Sequence, residues 1–180
     1  DELWGHSSLQ LGDNTHISWW PQSEPGEGKK HPGLVPVDII TEWIDAYPNQ
    51  TLRDDCQFEG RNPTGVMQFP PTQALDQRAI KQWWLQFKQK AKYNAIRLNC
   101  STVVHLALKA GGATNLVPDP GNWWWAPDRA LDYALAVHTS IIKQQRGQIR
   151  FDDSQAPRVV LQGKAKADEN KQKLKGGKKK

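Results

Sequence analysis

No run of residues approaches the roughly 20 apolar positions that a helix needs to cross a bilayer, so a membrane-spanning helix is excluded. Cysteine is scarce. Cys56 and Cys100 are the only two, too few for a disulfide scaffold or a cysteine-built zinc site, and spacing alone does not say whether they pair, which leaves the redox compartment open. No charged-then-apolar leader opens the chain, and its one methionine is Met67. It therefore reads as a processed product or an excised domain, with any targeting signal outside it. The sequence also lacks an internal repeat, a Gly-x-Ser-x-Gly elbow for a serine hydrolase, and any paired metal-ligand spacing. Nothing in it calls for a metal or another cofactor.

What remains is 180 residues that are 37% hydrophobic and 24% charged. Counting glycine, the apolar share is roughly 45%, enough for one globular domain with a core. The net charge of +5 invites a nucleic-acid reading until it is placed along the chain. Eight lysines between Gly163 and Lys180, against Asp168 and Glu169, put +6 there and leave −1 on residues 1–162. We divide the chain accordingly into a domain over 1–162 and a Lys-rich flexible tail over 163–180, whose dearth of apolar residues cannot repay its ordering entropy. Contacts with nucleic acid are expected only as nonspecific contacts of that tail.

Gly12-Asp13-Asn14 between two short apolar-bearing runs signals a hairpin, with strands over 3–11 and 15–20. Alternation sets His16 and Ser18 on one face of the second strand, and Ile17 and Trp19 on the other. The Pro, Gly and Lys residues over 21–36 mark an exposed loop. Val37–Tyr47 is a strand or a short helix. Val66–Phe69 fits a short strand. The three- and four-residue recurrence of Leu75, Ala79, Ile80, Trp83, Trp84 and Phe87 predicts a helix over 73–90, capped by Thr72. Tyr93–Leu98 suits another short strand. Asn99 then caps a helix that begins at Cys100 and stops at Gly111-Gly112. Pro127 opens a last helix to about Gln145.

A thiol in the first turn of a helix faces unpaired amides and the positive end of the helix dipole, which favour the thiolate. The Cys100 backbone N–H can also face the oxyanion formed when that thiolate attacks a carbonyl. The thiolate further needs an imidazole within reach and a polar group to hold that imidazole. His105 follows Cys100 at an offset that points it elsewhere, His138 sits among apolar neighbours in the last helix, and His31 lies in the Pro/Gly loop. That leaves His6 and His16 of the hairpin. Trp19-Trp20 and Trp123-Trp124-Trp125 can line a cleft or fill the core; Trp19, Trp20 and Trp124 are the candidates for substrate contact.

Gly5-His6-Ser7-Ser8-Leu9-Gln10-Leu11-Gly12-Asp13, ending in Ser18-Trp19-Trp20-Pro21 and followed far downstream by Asn99-Cys100-Ser101, resembles the circularly permuted branch of the papain-like, NlpC-type superfamily. Its lecithin:retinol acyltransferase relatives likewise place a His-bearing strand before the Cys helix. The resemblance implies an α+β fold, a small antiparallel sheet packed on helices, with Cys100 as nucleophile and His6 as base. In that family a third polar residue, often a second His, follows the first by about twelve positions. An ungapped count lands on Ser18, whereas His16 is two residues earlier on the same face; His16 is preferred on chemical grounds, with Ser18 close behind. The implied activity is a thiol peptidase acting through a thioester on a peptide or isopeptide bond. Its context is that of a bacterial effector toxin, such as those of type VI secretion, delivered into a target cell and countered by an immunity protein. A peptidoglycan amidase or endopeptidase of the same fold, an acyltransferase, or a non-catalytic binding domain using the Trp surface are the alternatives.

Overall fold

A computed structural model describes residues 5–22, 41–70, 74–121 and 124–145, together with the backbone of 158–162. The flexible tail assigned to 163–180, most of the 21–36 loop, His31 and Trp123 lie outside the described residues. The architecture is α+β. Four strands, β1 (His6–Gln10), β2 (His16–Ile17), β5 (Gly65–Gln68) and β6 (Arg158–Gln162), form an antiparallel sheet in the order β2-β1-β6-β5. A second, two-stranded sheet pairs β3 (Trp20–Pro21) with β4 (Ala46–Tyr47), Trp20 opposite Tyr47. The helices are α1 (Leu52–Glu59), α2 (Gln77–Lys90), α3 (Cys100–Ala110) and α4 (Pro127–Gln144).

The hairpin forms where Gly12-Asp13-Asn14 predicts it. Leu11 N–H donates to Thr15 O at 2.9 Å and Thr15 N–H to Asp13 Oδ1 at 3.0 Å. Asn14 takes the left-handed conformation, φ 65°, which a short amide side chain tolerates better than most. The second strand does not run unbroken over 15–20, however. After Ile17 it leaves β1, and Trp20–Pro21 crosses to pair with β4. That switch carries Ser18 and Trp20 away from the sheet and over the start of α1.

Other expectations change at their ends. Thr72 lies outside the described residues, and the cap of α2 is Asp76, whose Oδ1 accepts from the amides of Arg78 and Ala79. The segment 93–98 is not a strand but a turn closed by isolated bridges, Ile44 with Tyr93 and Asn94 with Leu98. Two elements were not anticipated. Helix α1 is short and polar, so no apolar stripe announces it; it starts on a capping box in which Thr51 and Asp54 satisfy each other's backbone. Strand β6 is a central strand, bonded to β1 from His6↔Gln162 to Gln10↔Arg158 and to β5 on its other edge.

Helix α3 is the hub. It packs on β1, α2 and α4, and Val103, Val104, Ala107 and Leu108 are fully buried, each larger side chain contributing about 2 kcal/mol of transfer free energy. Helix α2 brings Trp84 and Phe87 onto Trp19, with ring centroids at 5.8 and 5.1 Å. Trp19 is therefore core and lines no cleft. Gly111 ends α3 where Ile80 of α2 presses closest. A Cβ there would stand 2.6 Å from Ile80 Cδ1, and Ile80 is itself fully enclosed. Gly111→Ala is expected to lower unfolding free energy by about 1–3 kcal/mol through overpacking; urea titration with fluorescence detection measures it.

Candidate active site

Asn99 builds the start of α3. Its Oδ1 accepts from the Thr102 amide and hydroxyl at 2.9 and 3.1 Å, and its Nδ2 donates to the carbonyls of Ala95 and Trp125 at 2.9 and 2.8 Å. The helix therefore cannot fray at Cys100. The Cys100 sulfur lies 3.9 Å from Gly5 O and 3.8 Å from Ser101 Oγ. Ser101 in turn shares a hydrogen bond with Ser7 Oγ at 2.9 Å, which ties the helix start to β1. No disulfide joins Cys100 to Cys56.

β1 sets His6 close enough to this thiol for each to shift the other's pKa. The Nε2 of His6 faces the other way, 3.0 Å from Ser18 Oγ and 3.4 Å from an oxygen of Asp55. Nδ1 is accordingly the atom left for the sulfur. Burial pushes the Cys100 thiol up, but the His6 charge, the His6 hydrogen bond, the Ser7 amide and the Ser101 hydroxyl outweigh it and hold the thiol below its ordinary value. Burial likewise opposes charge on His6, yet the thiolate and Asp55 raise the imidazole well above its ordinary 6.5. Both shifts favour a thiolate–imidazolium pair. Tyr93, buried beside the thiol, has its phenol pushed up by burial and by the charge of Cys100.

Asp55, on the first turns of α1, is the residue that sequence reasoning missed. It is completely enclosed, and its carboxylate gathers donors from four segments. Oδ1 accepts from Ser18 Oγ at 2.6 Å, Trp20 Nε1 at 2.8 Å and Asn49 Nδ2 at 2.8 Å, while Oδ2 accepts from His16 Nε2 at 2.7 Å. Burial raises its pKa, and the adjacent His6 and His16 more than reverse this, so the carboxyl is held far below the usual carboxylate range. The Thr51-x-x-Asp54 capping box was the available signal: it starts a helix at residue 52 and so turns Asp55 inward.

Contacts around the imidazole correct two expectations. His16, preferred as the orienting residue, has its hydrogen bond with Asp55, and the side chain hydrogen-bonded to His6 Nε2 is Ser18. Trp20 does not stand in an open cleft. Its ring lies flat on His6, centroids 3.9 Å apart and planes 15° apart, and it also donates to Ser18 at 3.0 Å. Trp124 does remain exposed, one residue from the Trp125 carbonyl that receives Asn99. Trp125 itself is core, stacked at 4.0 Å on His105, whose Nε2 pairs with Asp119 at 3.1 Å. His105 is thus a buried packing residue, and His138 is a boundary residue near Phe69.

A family model, the IcsB middle domain, matches residues 61–155, just over half of the chain. The chain belongs to that family. The IcsB middle domain is a bacterial effector domain, and the matched span contains Cys100 but starts beyond His6, Ser18 and Asp55. No curated protein and no solved structure matches the chain. Among the described residues of this IcsB middle-domain protein, no group of three His, Cys, Asp or Glu side chains is placed to hold a metal ion, and no helix is long and apolar enough to cross a membrane.

Asp55→Ala strands two imidazoles, an indole, a hydroxyl and an amide. It is expected to cost about 3–5 kcal/mol at pH 7. Because the folded carboxyl is depressed, its contribution is present above the unfolded value of 3.8 and lost as pH falls below it. The gap between wild type and variant in denaturant titrations at pH 7 and pH 3 is expected to shrink at the lower pH.

Proposed function

We propose that the protein is a papain-like cysteine enzyme that transfers acyl groups through a thioester on Cys100, with hydrolysis of a peptide or isopeptide bond as its leading activity. The observation that carries this reading is the thiol, depressed at a capped helix start, coupled to an imidazole whose far nitrogen is held by Ser18 and Asp55. The Cys100 thiolate attacks the carbonyl carbon, and the new oxyanion lies against the helix start. There Asn99 has taken the amides of Thr102 and Val103, so those of Cys100 and Ser101 face the oxyanion. The tetrahedral species collapses as the His6 imidazolium gives its proton to the leaving amine, which departs and leaves a Cys100 thioester. Neutral His6 then takes a proton from water, hydroxide attacks the thioester, and the acid leaves as the thiolate and imidazolium are restored.

Trp20 covers one face of His6, while Ser18 and Asp55 hold its Nε2. This burial strengthens the electrostatics of the pair and limits competing proton exchange with bulk water. A specific observation favours a second reading, in which an amine replaces water as acceptor: Cys100 is only 7% exposed, which limits access of bulk water to the thioester. The chemistry up to the thioester is the same. Action on a target cell's proteins or on peptidoglycan stem peptides, and neutralisation by an immunity protein, belong to the same proposal, because the family is one of bacterial effectors.

Cys100→Ala is expected to reduce kcat/KM by at least about 10³-fold without unfolding the domain. Brief incubation of the wild type with substrate followed by intact-mass analysis is expected to show an acyl adduct on Cys100 that neutral hydroxylamine removes. Full activity in Cys100→Ala rules the mechanism out. Isolated sacculi and cytosolic extract, each incubated with the protein, separate the two substrate classes by which one releases product. The pH profile of kcat/KM is expected to be a broad bell. Its acid limb, where the thiolate is lost, falls below the ordinary thiol value of 9.0, and its alkaline limb, where the imidazolium is lost, falls above 6.5.

A further inference from the structure

The two oxygens of Asp55 are unequally shared. Oδ1 is filled by Ser18, Trp20 and Asn49. Oδ2 has two imidazole claimants, His16 at 2.7 Å and His6 at 3.4 Å. A carboxylate oxygen offers about two lone-pair sites, and a strong charge-assisted bond is about 2.7–2.9 Å long. His16 therefore holds the strong bond, and His6 is left to reach the carboxylate mainly through the Ser18 hydroxyl. The opposite nitrogen of His16, Nδ1, is buried with no hydrogen-bond partner. The ring thus serves as a single N–H donor aimed at Oδ2.

We propose that His16 is a positioning residue for the Cys100 reaction: its Nε2–H occupies the Asp55 oxygen that would otherwise close on His6, and so it limits how tightly His6 holds its proton. The inference rests on the cysteine mechanism above and adds a control on its base. Direct contact between carboxylate and imidazolium would stabilise the cation and make the proton harder to release to the leaving amine. The ionisable groups facing His6 are Cys100 from α3 and Asp55 from α1; His16 from β2 faces Asp55, and Tyr93 faces the thiol. Of these, only His16 competes with His6 for the same oxygen.

The test uses the full chain with 15N-labelled histidine, and the titration midpoint of the His6 ring is read by NMR. In His16→Phe, which keeps a ring but loses the donor, the midpoint is expected to rise by about one pH unit as Asp55 closes on His6. His16→Gln, whose amide N–H reaches a similar position, is expected to restore the wild-type midpoint. The proposal is overturned if Phe leaves the midpoint in place or if Gln moves it as far as Phe does. Should the Phe variant fail to fold, the wild-type spectrum decides: His16 must carry its proton on Nε2 throughout the His6 titration, and an Nδ1–H tautomer refutes the role. These readouts need no turnover. A failure of the thioester mechanism, read from Cys100→Ala, is therefore distinct from a failure of this proposal.

Discussion

A buried carboxylate sets the terms for this structure. Transferring an ionised Asp into the interior costs several kcal/mol unless donors replace the lost water. Asp55 meets that requirement with an imidazole, an indole, a hydroxyl and an amide from β2, the Ser18 linker, β3 and the segment before α1. These segments must converge on one point to satisfy it. The break between β2 and β3 follows from the same demand, since an unbroken hairpin strand would not swing Trp20 over α1. The orientation of His6 is in turn a consequence of the convergence, because Ser18 can hold its Nε2 only while the hydroxyl donates to Asp55.

The second constraint is the start of α3. One asparagine closes the first turn, anchors the Trp125 carbonyl and anchors the Ala95 carbonyl. The two segments on either side of the thiol are thus fastened to the residue that precedes it. A helix buried on nearly every side can present a polar end only where another element supplies partners, and β1 supplies them through the Ser7 amide and the Ser7–Ser101 hydroxyl pair. Stability and nucleophilicity share the same contacts, so the thiol is depressed despite its burial.

The tryptophans divide by what they cover. Trp19 and Trp84 fill the space between the hairpin and α2, and Trp125 fills that between α3 and the loop before α4. Trp20 covers the His6 imidazole, and Phe58 meets its ring edge-on at 5.7 Å. Trp43 and Trp124 stay about half exposed, and they bracket the segments that Asn94 and Asn99 tie down. An aromatic-rich sequence here serves the core first and the buried imidazole second.

The elements legible in the sequence carry their own local signals. Asn99 as cap and Gly111 as stop bound α3, Pro127 opens α4, and Gly12-Asp13-Asn14 turns the hairpin, because each acts on backbone groups within a few residues. Cys100 was nameable for the same reason, a helix start being a local feature, whereas local features left His6 and His16 side by side and the family resemblance singled out His6. Asp55 was not nameable, since its partners His16 and Ser18 stand 39 and 37 residues away and its one local signal, the Thr51-x-x-Asp54 capping box, marks only where a short polar helix begins. Strand β6 is short and owes its central place to pairing with β1 and β5, and nothing local tells that Trp20, a candidate for substrate contact, stacks on an imidazole. The chain alone determined which groups are chemically able to react. Only the tertiary structure decided which hydroxyl, carboxylate and indole surround them, because burial and long-range hydrogen bonding depend on distances that sequence order does not contain.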